Sequence, residues 1–195
     1  MKVAALYIDP RGPYPRMPDV DAWDETRDAR LYAGPWPIVA HPPCGAWGSL
    51  RNLGAAKPGA ELGPLAVAQV RRWGGALEHP RGSTLWKFMG LPAPGAAPDS
   101  AGGYTVLVEQ VSWGHPARKP TLLYLVRVDR ALVAATRRTG GTPTHAVAKP
   151  GRAAAEAAGL TWPCLKLKAT HSAMNRRSPP DFAAWLVMLA RSAAR

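Results

Sequence analysis

Residues 37–44, with the sequence Pro-Ile-Val-Ala-His-Pro-Pro-Cys, carry the pattern that decides the fold. The apolar run at positions 38–40 has no polar alternation, which is typical of a strand buried on both faces of a parallel sheet. His41 and the two prolines after it end the run, because proline cannot donate to a sheet ladder. The stretch therefore predicts a buried strand whose carboxyl end leads directly into a polar segment that contains Cys44.

Two other apolar runs in the first half of the chain have the same form. Residues 2–8 (KVAALYI) end at an Asp-Pro pair, and residues 76–78 (ALE) are followed at once by His-Pro. The apolar spacing between the second and third runs predicts a helix over about 64–73 that begins with a proline. Its expected inner face is Leu65, Ala68, Val70 and Trp73. Residues 11–37 are rich in Pro, Asp and Arg and predict mostly loop, with a short helical turn around 21–30.

The second half of the chain predicts two more strands and a final helix. Residues 104–110 (YTVLVEQ) alternate and are rich in β-branched side chains, and 121–128 (TLLYLVRV) form a second apolar run. Residues 129–160 show little pattern. Ser178 is expected to cap the last helix and Pro179 to begin it. Its apolar stripe falls at helical spacing on Phe182, Trp185, Leu186 and Leu189.

Short buried strands that alternate with helices predict an α/β fold, a single Rossmann-like domain with a mainly parallel sheet. At 195 residues, the chain has the length of one domain. We expect residues 1–195 to form that domain. Residues 36–128 would be its catalytic core, and 129–195 would be a basic C-terminal part ending in the amphipathic helix.

The charge distribution predicts a polyanionic partner. The net charge is +12, and residues 111–195 carry 14 Lys and Arg against three acidic residues. Such asymmetry favours binding to nucleic acid, and the pair Arg137-Arg138 suits phosphate contacts. A homodimer is a further possible arrangement. No apolar run is long enough to span a membrane. The two cysteines, Cys44 and Cys164, cannot build a disulfide framework, so the expected compartment is the cytoplasm.

Polar, proline-rich segments follow three of the predicted strands. They are residues 41–44 (HPPC), 78–80 (EHP) and 113–119 (WGHPARK). In open α/β sheets ligands bind beyond the carboxyl ends of the strands, so these segments are the expected site. The candidate catalytic residues are Cys44, Glu78, Arg118 and Lys119. The candidate substrate-binding residues are His41, Pro43, His79, Trp113 and His115.

These segments, in this order, resemble the core motifs of the cytosine-C5 DNA methyltransferases. That family has a Pro-Cys nucleophile, a Glu at the end of the next signature strand, and a Gly-x-Pro turn followed by basic residues. Here Cys44 and Glu78 are 34 residues apart, and Glu78 and Lys119 are 41 apart, which is similar to the family's spacing. The resemblance covers about half of the chain.

The resemblance implies a reaction through C6 of cytosine. Cys44 would add to C6 as a thiolate, and a neutral Glu78, kept protonated by partial burial, would hydrogen-bond N3. Arg118 and Lys119 would hold the O2 side of the base or a phosphate. In the family the group transferred is the methyl of S-adenosylmethionine, which would lie at Asp9 and Gly12 in the loop after the first strand. The substrate would be DNA or a nucleotide.

The chain departs from the family in ways that leave other functions open. The loop after the first strand has a single glycine and three prolines where the family has a glycine-rich turn. About 35 residues separate Ile8 from Cys44, which is short for the cofactor half of the family's fold. A pyrimidine hydroxymethyltransferase or deaminase that does not use S-adenosylmethionine is one alternative, and a non-catalytic nucleic-acid-binding protein is another. We expect the histidines to shape the pocket, with no metal bound.

Overall fold

A six-stranded mixed sheet forms the centre of the protein, seen in a computed structural model that describes residues 1–48, 51, 58–146, 168–169 and 177–193. The strands are β1 (Val3–Leu6), β2 (Val20–Trp23), β3 (Ile38–Ala40), β4 (Gly75–Pro80), β5 (Tyr104–Glu109) and β6 (Pro120–Val126). Their order is β2-β1-β3-β4-β6-β5, and β6 alone among these six strands runs against the others. The predicted α/β fold with a mainly parallel sheet is confirmed.

Helices cover both faces of the sheet. They are α1 (Leu62–Trp73), α2 (Leu85–Phe88), α3 (Arg130–Thr136) and α4 (Pro180–Ser192). Within β3, Ile38 and Ala40 pack on the α1 side, whereas Val39 packs on the α4 side. All three are fully buried, as the unbroken apolar run predicted. The strand alternation therefore builds two apolar layers, one on each face of the sheet.

Several predicted boundaries in the first half were wrong. The segment expected to be loop contains β2, which pairs in parallel with β1 at the edge of the sheet. The helix α1 begins at Leu62, two residues before the expected proline, and Ala68 on its predicted inner face is exposed. The β2 run (VDAW) contains a polar residue, Asp21, and is only partly buried, so its pattern is weak and its pairing with β1 decides its conformation.

The last helix is where the apolar stripe predicted it, and all four residues of the stripe are buried. Its start differs, because α4 begins at Pro180 and no side chain caps it, so the predicted role of Ser178 as a cap was wrong. The helix α3 was not predicted. Asp129 caps it by accepting a hydrogen bond from the Ala131 amide at 2.8 Å. Residues 147–160 of the low-pattern stretch lie outside the described residues.

A close approach of β3 and β4 depends on Gly75, the first residue of β4. Its φ is +111°, and a Cβ built there would lie 2.0 Å from the Ile38 carbonyl oxygen. Only glycine fits such a position without a shift of the backbone. Gly75 and Ile38 lie at the amino ends of the two strands. In the same register, the carboxyl ends of β3 and β4 lie side by side at Ala40 and Leu77. No helix in the described part of the chain is long and apolar enough to cross a membrane.

Candidate active site

The carboxyl ends of β3 and β4 bring His41 and Glu78 into direct contact. The register pairs Ala40 with Leu77, so the residue that follows each lies at the same level of the sheet. His41 Nδ1 is 3.0 Å from Glu78 Oε2, and both side chains are nearly buried, with exposed fractions of 13% and 10%. The contact joins the predicted thiol segment to the predicted carboxylate.

Tyr14 extends this contact into a chain of three polar groups. It lies in a short 3₁₀ turn (Tyr14–Arg16) after β1, and its hydroxyl is 2.6 Å from His41 Nε2. Burial, and then the negative charge of Glu78, raise the pKa of Tyr14 well above its ordinary value. The hydroxyl therefore keeps its proton and donates it to His41 Nε2. We infer from this that His41 carries its own hydrogen on Nδ1 and donates it to Glu78.

The second oxygen of Glu78 is held from the far side by Gln110. Gln110 Nε2 donates to Glu78 Oε1 at 3.2 Å and to Thr121 Oγ1 at 3.0 Å, and Gln110 is fully buried. Burial alone would raise the pKa of Glu78, but the hydrogen bond from His41 and the positive charge of Lys119 act in the opposite sense and lower it to about 2. The expectation of a neutral carboxyl was therefore wrong, because the hydrogen bond from His41 and the nearby positive charge outweigh the effect of burial on the pKa of Glu78.

His79, the residue after Glu78, faces the proline segment that leads to Cys44. It is 1% exposed, and its Nδ1 lies 2.6 Å from Ser83 Oγ. Ser83 Oγ also accepts a hydrogen bond from the Leu85 amide at 3.1 Å. Burial lowers the pKa of His79 to about 4, against the opposing influence of Glu78 and of the Pro42 and Pro43 carbonyls. His79 is therefore a neutral ring packed beneath that segment.

Cys44 is exposed at the end of this segment. Its carbonyl oxygen accepts from the amides of Trp47 at 3.1 Å and Gly48 at 2.7 Å, so the thiol side chain stands at the start of a hydrogen-bonded turn. The two prolines before it and the buried His41 fix where the segment leaves β3. The structure thus places Cys44 at the same edge as Glu78, and its role as nucleophile stays a prediction. Cys164 lies outside the described residues.

The two basic candidates occupy different places. Lys119 is close enough to Glu78 for its charge to lower the carboxyl pKa, and its Nζ donates to the Arg177 carbonyl oxygen at 3.3 Å. Arg118, by contrast, lines a separate cleft beside the end of β5. The pair is therefore split, with Lys119 beside the carboxylate and Arg118 directed elsewhere.

Two of the predicted substrate-binding residues are almost fully buried. Trp113 is 3% exposed and packs on Phe182 and Trp185, with ring centroids 5.2 Å and 4.7 Å away. His115 is 4% exposed, and its Nδ1 lies 2.8 Å from the Ala117 carbonyl oxygen and 3.1 Å from the Ala117 amide nitrogen. In this structure Trp113 belongs to the core beneath α4, and His115 braces the turn that leads to β6.

The predicted cofactor loop after β1 is closed on itself. The Gly12 amide donates to the Asp9 carbonyl at 2.8 Å, and the Asp9 carboxylate accepts from the Arg11 amide and side chain. A Cβ at Gly12 would lie 3.0 Å from that carbonyl oxygen, so a larger residue there would fit only if the turn shifted by a few tenths of an ångström. The side chain of Asp9 already has a partner in this loop. Among the described residues, no group of three or more His, Cys, Asp or Glu is placed to hold a metal ion.

Sequence reasoning missed Tyr14 and Gln110. Gln110 directly follows β5, so the rule that located Glu78 at a strand end also applies to it. Tyr14 lies in a proline-rich loop whose sequence gives no sign that it folds back toward β3.

The comparisons with known proteins give no family. The chain matches no protein-family model, and no curated protein matches it. The chemistry of the site is therefore argued from its geometry: an exposed thiol, and an ionised carboxylate held between a histidine and a glutamine, at one edge of an α/β sheet.

Proposed function

We propose that the protein is a pyrimidine-modifying enzyme that acts on cytosine, in DNA or in a nucleotide, through a covalent bond between Cys44 Sγ and C6 of the base. One observation carries the proposal. The hydrogen bond between His41 and Glu78 ties the segment that bears the thiol to the carboxylate, so both groups stand at one edge of the sheet. The motif resemblance predicts these two groups together, and the contact supports it.

The reaction needs the thiol and the carboxyl in separate roles. The Cys44 thiolate forms a bond to C6, the C5–C6 π electrons are displaced, and N3 takes up a proton as negative charge develops on the ring. C5 then becomes nucleophilic and bonds to an electrophile. Loss of the C5 proton expels the thiolate and restores the double bond. Glu78 faces the N3 and amino edge of the base in this scheme.

Glu78 is suited to recognise that edge. A carboxylate has about four acceptor sites, of which the described contacts use two, so Glu78 can also accept from the exocyclic amino group of cytosine. Because Glu78 is ionised in this structure, one proton must be taken up when the base binds. Removal of water from the carboxylate favours that uptake, since desolvation raises a carboxyl pKa.

The sheet is also compatible with the resemblance, which implies a Rossmann-like fold, because five of its six strands run in the same direction. The donor is a separate matter. The loop at Asp9 and Gly12 does not fit S-adenosylmethionine as the family's glycine-rich turn does, since its groups are paired within the loop. We therefore derive no step from that cofactor.

This loop favours a second candidate, a pyrimidine hydroxymethyltransferase or deaminase that does not use S-adenosylmethionine. The bond from Cys44 to C6 would be the same. In a hydroxymethyltransferase the electrophile at C5 would be an aldehyde-level one-carbon donor. In a deaminase water would add at C4, the exocyclic amino group would leave as ammonia, and C5 would keep its proton at the end of the reaction.

Release of tritium from [5-³H]cytosine tests the proposal, because exchange at C5 requires the C6 bond. We expect release by the wild-type protein from a cytosine-containing oligonucleotide or from dCMP, and loss of release in Cys44→Ala. Cys164→Ala is the matched control and should retain it. Parallel reactions with and without S-adenosylmethionine show whether release depends on that donor.

A protein that binds nucleic acid without catalysis would give a different result. It would release no tritium from either substrate, and Cys44→Ala would bind DNA as tightly as the wild type. That pair of outcomes would contradict the enzymatic proposal. Release that persists in Cys44→Ala would instead show that another group attacks the base.

A further inference from the structure

A cleft of about 150 Å³ lies beside the carboxyl end of β5. This volume is several times the roughly 30 Å³ that one water occupies in the liquid, so the cleft has room for a phosphate-sized group. Its polar and charged lining residues are Glu109, Ser112, Arg118, Arg137, Arg138 and Thr139. Arg118 comes from the turn before β6, whereas the other two arginines follow α3, so two separate segments each bring arginine to one cleft.

The charge of this arginine cleft is close to one positive unit. Arg138 forms an ion pair with Asp181, with 2.8 Å between Arg138 Nη1 and Asp181 Oδ2, so the two charges offset each other. Within the described residues, neither Arg118 nor Arg137 forms an ion pair. Glu109 supplies one carboxylate against those two cations. This net positive charge matches the single negative charge of a phosphodiester. The guanidinium group of arginine is well suited to bind a phosphate group, because it can donate two parallel hydrogen bonds to it.

The backbone of the cleft is held in place. Ser112 Oγ donates to the Gly140 carbonyl at 2.7 Å, which joins the end of β5 to the segment after α3. Gly141 has φ +99°, and a Cβ there would lie 2.8 Å from the Val111 carbonyl oxygen. The two segments therefore touch through backbone, and this contact sets the spacing of the arginines across the cleft.

The arginine cleft is next to the Glu78 site. Glu109 lines the cleft, and the next residue, Gln110, donates a hydrogen bond to Glu78. Arg118 also lines the cleft, and the next residue, Lys119, is close enough to lower the pKa of Glu78. The Lys119 carbonyl accepts from the Gln110 amide at 3.3 Å, so the two connections are joined. The ends of β4 and β5 are separated by β6, so the cleft and the carboxylate are roughly 10 Å apart, at two strand spacings.

We propose that the arginine cleft binds one phosphodiester of a DNA strand beside the target cytosine. This inference rests on the proposed function and deepens it, because it names DNA as the substrate over a free nucleotide. A free nucleotide carries its phosphate on the target residue itself, as a monoester with more negative charge. The cleft lies two strand spacings from Glu78, and its net charge is close to +1. Both properties suit the phosphodiester group that links a neighbouring nucleotide to the target.

Binding of a short, fluorescein-labelled, cytosine-containing DNA duplex, measured by anisotropy over a salt series, tests the proposal. We expect Arg118→Gln and Arg137→Gln each to weaken binding by about tenfold and to reduce the slope of log K against log salt by about 0.9, the value for one B-DNA phosphate. Because both arginines hold the same phosphate, the double variant should reduce the slope by no more than either single variant. Arg72→Gln is the matched control, because Arg72 is an exposed arginine at the end of α1, next to the amino end of β4 and so at the other end of the strands from the cleft.

Competition separates the sources of phosphate. Unlabelled dCMP should displace the labelled duplex from the wild type and from Arg137→Gln equally, because the phosphate of a dCMP molecule whose base is bound at Glu78 does not reach the cleft. If Arg137→Gln weakens the binding of dCMP as much as it weakens the binding of the duplex, the cleft binds the phosphate of the target nucleotide itself. That result would overturn the proposal. An unchanged salt slope in both single variants overturns it as well. Arginine-dependent DNA binding without tritium release would contradict the enzymatic function and leave the cleft as a DNA site.

Discussion

The variant Glu78→Gln is expected to lower the rate of C5 proton release by about 10²–10⁴-fold, the usual contribution of a positioned acid or base group. Glutamine has nearly the same shape as glutamate and still accepts a hydrogen bond from His41. It cannot take up a proton and pass it to N3, however, and its amide would place a donor beside the amino group of cytosine. The measurement is tritium release from the labelled oligonucleotide at saturating concentration, so that weaker binding is not mistaken for slower chemistry.

The control for this variant is Glu25→Gln, which removes a carboxylate from an exposed loop. It should release tritium at the wild-type rate. Glu78→Gln should also retain DNA binding within a few-fold, because the arginine cleft is intact. A Glu78→Gln protein that folds, binds DNA and releases tritium at the wild-type rate would show that Glu78 only stabilises the edge of the sheet.

The variant Phe182→Ala should have the largest effect on stability. Phe182 is fully buried in α4 and packs against the rings of Trp113 and Trp185. Truncation removes the apolar contacts and leaves a cavity between helix and sheet, at a cost of about 3–5 kcal/mol in the free energy of unfolding. For a chain of this length we expect the melting temperature to fall by about 10 °C. Urea unfolding followed by circular dichroism would measure the change.

Ala184→Ser on the exposed face of the same helix is the matched control, and its effect should stay within about 0.5 kcal/mol. If Phe182→Ala is no less stable than Ala184→Ser, then α4 does not cover the sheet as the structure shows it.

The fold was predictable where burial on both faces leaves a strong pattern. The runs at β1 and β3 are apolar throughout, β4 is apolar up to Glu78, and the stripe on α4 has helical spacing, so sequence alone located them. The strand β2 has a polar residue and a half-exposed edge position, and α3 is short, so neither has a pattern that differs from loop. Pairing with β1 and capping by Asp129 decide these elements, and both are visible only in the folded chain.

The candidate site was predictable in part. The rule that polar residues at strand ends meet at one edge of a parallel sheet located His41 and Glu78. The charge of Glu78 was not predictable, because it depends on the side chains that surround the carboxyl. Tyr14 and Gln110 reach the site from a proline-rich loop and from beyond β5. Trp113 was assigned to the rim because it sits in a turn, but its ring turns toward α4.

The formation of a covalent bond at Cys44 tests the central claim most directly. A duplex that contains 5-azacytosine has nitrogen in place of the C5–H group, so an adduct at C6 has no C5 proton to lose and persists. Digestion and mass spectrometry should find the nucleotide on the peptide that contains Cys44, and not on the one that contains Cys164. The adduct should be reduced in Glu78→Gln. An adduct on Cys164 alone, or none on a protein that binds the duplex, would contradict the account.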